Sequence, residues 1–271
     1  MQEYTLFNEP FSTLFLCGHE AIWPPYHSGL ESFVDLLVNV LPAVAEASRL
    51  YRELLPGARH VWVDTCEFHT GSDESGQRYA DMANDRRFLA IDAFLGRGYD
   101  VDSQLGRDLA PAGGERLLTL PAGTIDVLGL DYYAHCQWNF SEAGGAAPTP
   151  TPLPLADQVQ QYWERYGLPC MLTETNVRGA TSDRATWLKY VLEQCEEASA
   201  RGVTMDGVCW FPRRRLHRLE LTALPLRGPC GSRRRVLARR GPRAALVGDV
   251  DVVRARRRRS PLGRPPRLPA R

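Results

Sequence analysis

Apolar residues recur at three- and four-residue steps through Phe33, Leu36, Leu37, Val40, Leu41, Val44 and Leu50, which predicts a helix over Gly29–Leu55. Pro42 falls inside it and should bend or interrupt it, because proline lacks the amide donor and its ring crowds the preceding turn. Pro56-Gly57 should end it. Shorter apolar runs read as strands: Tyr4–Glu9, His60–Asp64, Ile125–Tyr133, Leu168–Glu174 and Met205–Trp210. Between them the pattern predicts an aromatic- and proline-rich loop from Phe11 to His27, a helix at Asp85–Phe94, a loop from Gly144 to Pro154 and a helix at Leu155–Tyr166. A last helix, capped by Ser182, should run to about Ala200 and stop at Gly202. Strands alternating with helices imply an α/β fold with a parallel sheet, closed or open.

Two of these strands end on glutamates 165 residues apart, Glu9 in Thr5-Leu6-Phe7-Asn8-Glu9-Pro10 and Glu174 in Met171-Leu172-Thr173-Glu174-Thr175-Asn176. Each carboxylate closes an apolar run just before a polar turn. Barrel enzymes present catalytic groups in this way, at the C-terminal ends of their strands.

Four segments, in order, resemble glycoside hydrolase family one, the β-glucosidase family. Asn8-Glu9-Pro10 looks like the Thr-x-Asn-Glu-Pro motif ending the family's fourth strand. Ile125-Asp126-Val127-Leu128-Gly129-Leu130-Asp131-Tyr132-Tyr133 is similar to its sixth-strand Asp-Phe-x-Gly-x-Asn-Tyr-Tyr, with Asp131 where Asn is usual. Leu172-Thr173-Glu174-Thr175-Asn176 is similar to the seventh-strand Ile-Thr-Glu-Asn-Gly, and Asp206-Gly207-Val208-Cys209-Trp210-Phe211 to the start of the eighth. The resemblance covers about residues 2–212. It implies a (β/α)8 TIM barrel that is incomplete, holding approximately strands 4 to 8, and a retaining β-glycosidase acting on β-glucosides or related sugars.

The resemblance also implies roles. Glu9 would be the acid/base and Glu174 the nucleophile, at the roughly 5–5.5 Å separation of retaining enzymes. Asn8 would hydrogen-bond the sugar 2-hydroxyl, Tyr133 would donate to Glu174, and Trp210 would lie beneath the sugar ring. The family's sugar-binding residues from the first three strands lie outside the sequence, and Pro212-Arg213-Arg214-Arg215 stand where its Glu-Trp pair would follow. A catalytically inactive barrel fragment is therefore an alternative reading.

Charge divides the chain. Residues 1–212 carry 14 basic against 29 acidic residues, a formal charge of −15, whereas residues 213–271 carry 19 Arg against 3 acids, +16. This tail has seven Pro and lacks Phe, Tyr, Trp, Ile, Met, Asn, Gln and Lys, so it has little with which to build a core and should be disordered. The expected division is a partial barrel domain, 1–212, and an Arg/Pro-rich tail, 213–271. Such a tail could bind nucleic acid by neutralising phosphates. The abrupt change inside a predicted strand, with Arg but no Lys, instead favours a reading frame shifted near Phe211, and nucleic acid is not the expected partner. A small-molecule glycoside is.

The remaining residues narrow the classes further. Seven scattered cysteines without a Cys-x-x-Cys pair, and no secretory leader, favour reduced thiols and a cytoplasmic chain. Cys17-x-His19 and Cys66-x-x-His69 have no second pair at ligand spacing, so no metal or cofactor is expected. No apolar run is long enough to cross a membrane.

Overall fold

The structure is a computed structural model that describes residues 2–143 and 145–211. The Arg-rich tail and the frame change expected at its start lie outside the described residues. In chain order the main elements are β1 (Glu3–Tyr4), α1 (Pro10–Gly18), α2 (Leu30–Leu54), β2 (Arg59–Thr65), β3 (Phe68–Gly71), α3 (Glu74–Arg86), α4 (Leu89–Phe94) and α5 (Gln104–Leu109). After two short 3-10 turns come β4 (Val127–Asp131), β5 (Gln137–Phe140), β6 (Ala146–Pro148), α6 (Leu155–Tyr166), β7 (Cys170–Thr175), α7 (Thr181–Ala200) and β8 (Met205–Trp210).

Strands β1, β2, β4, β7 and β8 form one sheet in that order, every neighbouring pair parallel. Each new strand is added to the same edge, and right-handed crossovers then put all the helices on one face. This single winding builds a (β/α)8 barrel; a doubly wound sheet would reverse its strand order at the middle. The chain forms part of such a barrel.

Alternation along the strands separates two interiors. Trp62, Leu128, Leu130, Cys170 and Leu172 join the large core beneath the helices, with Phe33, Leu37, Leu41, Phe94 and Tyr162. Val61, Val63 and Val127, with Met171 against them, form a small cluster on the other face, which would line the barrel's lumen. Gly129 belongs there because a Cβ would lie 2.8 Å from the Thr173 side chain and 2.9 Å from that of Val63. Across that side Arg59 of β2 reaches Asp206 of β8 at 2.6 Å and also pairs with Glu3 of β1.

Several elements differ from the sequence reading. The predicted first strand survives as Glu3–Tyr4 and a single bridge from Asn8 to Val63, with bends between. Much of the expected Phe11–His27 loop is helix α1: Pro10 stands in its first turn, where proline's missing N–H costs nothing, and Phe11, Leu14 and Phe15 are buried. Pro42 does not interrupt α2, whose buried residues Phe33, Val34, Leu37, Leu41 and Val44 run past it on one face. Leu50 is exposed.

The helix expected at Asp85–Phe94 is split. It begins earlier, at Glu74, where Asp73 accepts from the Gly76 amide at 2.7 Å, and the turn at Arg87-Phe88 separates α3 from α4. Helix α7 starts at Thr181, and its cap is Asp183, accepting from the Ala180 amide at 2.7 Å, not Ser182. The Gly144–Pro154 loop contains β6, which with β3 and β5 makes a second, three-stranded sheet that the sequence pattern did not announce.

Candidate active site

The C-terminal ends of the parallel strands gather five carboxyl groups: Glu9, Asp64, Glu67, Asp131 and Glu174. Glu9 stands where the chain passes from the Asn8 bridge into α1. Its amide donates to Val63 O at 3.0 Å, and its backbone is left-handed, φ 46°. Such a conformation is costly for a side chain other than glycine and persists where the surroundings impose it. Here Pro10 opens the helix on one side and β2 holds the chain on the other.

Asp64, buried at the end of β2, fixes this junction. It accepts from the Phe11 amide at 3.0 Å and the Thr65 amide at 3.1 Å, with the Ser12 amide at 3.5 Å, so it caps a helix that begins 54 residues earlier. Burial pushes its carboxyl up to about 7 against the pull of these donors.

Glu174 is paired across the sheet with Asp131. The Tyr133 phenol donates to its Oε2 at 2.6 Å. Burial and the Glu174 charge both raise the Tyr133 pKa, so the phenol keeps the proton it donates. His135 stacks on Tyr133 with ring centres 5.3 Å apart.

Glu9 is half-buried. Desolvation first, then the carboxylates of Asp131, Asp64, Glu174 and Glu67, raise its pKa to about 9. Asp131 is wholly buried, and desolvation followed by the Glu174 charge raises it to about 8. Its Oδ1 accepts from Thr173 Oγ1 at 2.7 Å, its Oδ2 is buried without a donor among the described residues, and the Glu9 carboxyl lies close enough to act on it. Burial also pushes Glu67 upward, but His69, Arg86 and Arg87 outweigh it and hold Glu67 below the ordinary range.

Of the residues singled out in the sequence, Glu9, Glu174 and Tyr133 come together at this end of the sheet. Trp210 ends β8 beside Thr175, one residue past Glu174, and carries the Arg184 guanidinium over its ring at 5.3 Å. Asn8 is exposed on the approach, its carbonyl accepting from Thr13 Oγ1 at 3.0 Å. The pattern had not pointed to Asp64, Glu67 or Thr173. Asp64 carries the same signal as the two glutamates, an acid closing an apolar strand, whereas Glu67 and Thr173 are recognisable only once the strands are aligned. Among the described residues no group of His, Cys, Asp and Glu has the arrangement of a metal site, and no helix is long and apolar enough to cross a membrane.

The fold has counterparts among solved structures. A family 1 β-glucosidase from Thermotoga maritima superposes with a TM-score of 0.60 at 18% identity, covering 76% of this chain and 53% of its own. The same organism's enzyme with isofagomine lactam bound gives 0.62 at 16% identity, covering 78% and 54%. A β-glucosidase from Exiguobacterium marinum gives 0.61 at 16%, covering 78% and 56%. The chain has a partial (β/α)8 barrel fold. It spans about half the length of these neighbours, and at such identities the likeness is one of fold. No protein-family model matches the sequence, and no curated protein does.

Proposed function

We propose that the chain carries the carboxylate pair of a retaining β-glycosidase, acting on O-glycosidic bonds of β-glucosides or related sugars. The observation that carries this reading is the 2.6 Å hydrogen bond from Tyr133 to Glu174, at the same end of the sheet as Glu9, whose burial raises its pKa. Retaining hydrolysis needs one ionised carboxylate and one carboxylic acid on either side of the scissile bond. The phenol donating to Glu174 Oε2 holds that carboxylate in place. Burial first, and then crowding among carboxylates, favours the acid form of Glu9. Glu174 would attack the anomeric carbon while Glu9 protonates the departing oxygen, and Glu9 as base would then activate the water that releases the sugar. Asn8 and Trp210 would contact the sugar. The β-glucosidase neighbours support this chemistry through fold alone.

Turnover of an aryl β-glucoside tests the reading. Glu174→Ala should remove nearly all of it. Glu9→Ala should slow substrates with poor leaving groups most, because they depend on protonation, and spare activated aryl glycosides in the first step. Unchanged hydrolysis by the Glu174→Ala chain rules the assignment out. No turnover by the intact chain favours the alternative, a barrel fragment that is catalytically inactive.

A further inference from the structure

Asp131 poses a problem that Glu9 solves. Its Oδ1 accepts from Thr173 Oγ1 at 2.7 Å, but its Oδ2 is buried and has no hydrogen-bond donor among the described residues unless Glu9 supplies one. A buried acceptor without a donor is destabilising, and two carboxylates in contact do not both ionise. One proton placed between them removes both difficulties. We propose that Asp131 and Glu9 hold a single proton between them, so that Asp131 is the positioning residue that keeps Glu9 in its acid form; the inference rests on Glu9 being the proton donor.

The surroundings reinforce the sharing. From β2 come Asp64 and, just beyond, Glu67; from β7 comes Glu174; Tyr133 lies just past the end of β4. The Cys66 and Cys136 thiols nearby are pushed up by burial and stay neutral. Arg86 and Arg87 act on Glu67. An Asn at position 131, usual in the family the sequence resembles, would turn an amide donor toward Glu9 and favour the ionised carboxylate. With Asp131 the acid should persist to higher pH.

The test needs no substrate. In the full chain carrying isotope-labelled carboxyl groups, NMR should find a carboxyl titration well above neutrality. Asp131→Asn should lower its midpoint by about one pH unit or more, since it removes the like charge and adds a donor. Glu9→Gln should lower it comparably from the other side, and it carries the test if Asp131→Asn loses its cooperative melt. Absence of such a titration in the unaltered chain, or an unmoved midpoint in the folded variants, overturns the proposal. In an active chain the alkaline limb of the pH profile should shift with Asp131→Asn. A chain that shows the titration yet hydrolyses no aryl glycoside sinks the glycosidase reading and leaves the shared proton standing, whereas turnover without it does the reverse.

Discussion

At the residue scale, the site uses position in the sheet to give like groups unlike work. Glu9, Asp131 and Glu174 are all carboxyl groups within reach of one another, yet the Tyr133 phenol donates to Glu174 and the Thr173 hydroxyl to Asp131. Removing the phenol alone should therefore weaken the group that must be ionised. A hydrogen bond to a charged group contributes about 1.5–3 kcal/mol, so Tyr133→Phe should reduce kcat/KM for an aryl β-glucoside by roughly ten- to a hundredfold. Steady-state kinetics on the folded variant check this, and a change below twofold would show that the contact does not matter for turnover.

At the element scale, Asp64 makes α1 dependent on β2. Helix α1 has no side-chain cap of its own, since Glu9 is turned away in the left-handed region, and its first amides are satisfied by a carboxylate from another strand. Asp64→Ala should cost about 1–2 kcal/mol, the scale of a lost N-cap, and a little more for the space vacated. The melting temperature should fall by several degrees, and hydrogen exchange in Phe11–Leu14 should speed up more than in α7. Uniform acceleration in both helices would mean that Asp64 supports the whole sheet and not this junction. The same dependence places Glu9, whose strained backbone opens α1 on one side and donates to Val63 of β2 on the other.

At the scale of the whole molecule, the crowded acids couple site and stability. Burial raises Asp64 from 3.8 to about 7, and burial with like-charge crowding raises the Glu9–Asp131 pair above the ordinary carboxyl range for the one proton it shares. The folded state therefore holds protons that the unfolded chain would release. Stability from these groups is fully present below about pH 4 and is lost as pH rises through the folded values, by at most about 1.4 kcal/mol per pH unit for each such proton. Melting temperature should fall between pH 5 and pH 9, and Asp131→Asn should flatten the slope; a rise across that range would contradict the site as described. The sheet also offers two open edges among the described residues, β1 paired only with β2 and β8 only with β7. A groove lined by Leu192, Cys195, Met205 and Val208 runs beside β8. Unpaired edges seek partners, so light scattering should show association that grows with concentration. A monodisperse monomer with one sharp melt would exclude it.

Local information in the chain was enough for the strand and helix alternation, for the amphipathic face of α2, and for two acids at strand ends, because periodicity and chain reversal are short-range properties. Gly167, in the left-handed region at the end of α6, behaves as its residue type requires. The order of strands that makes a partial barrel was not local. Nor was α1, whose cap comes from β2, or the small sheet of β3, β5 and β6, in which β3 and β5 pair across more than sixty residues. Asp131 shows the limit most plainly. In the sequence it was a departure from a resembled motif; only the alignment of β4 with β7 set it against Thr173 and Glu174, and only the strained turn at Glu9 brought the second carboxyl to it. A carboxyl's protonation depends on the charges and solvent around it, and those are arranged by tertiary packing alone.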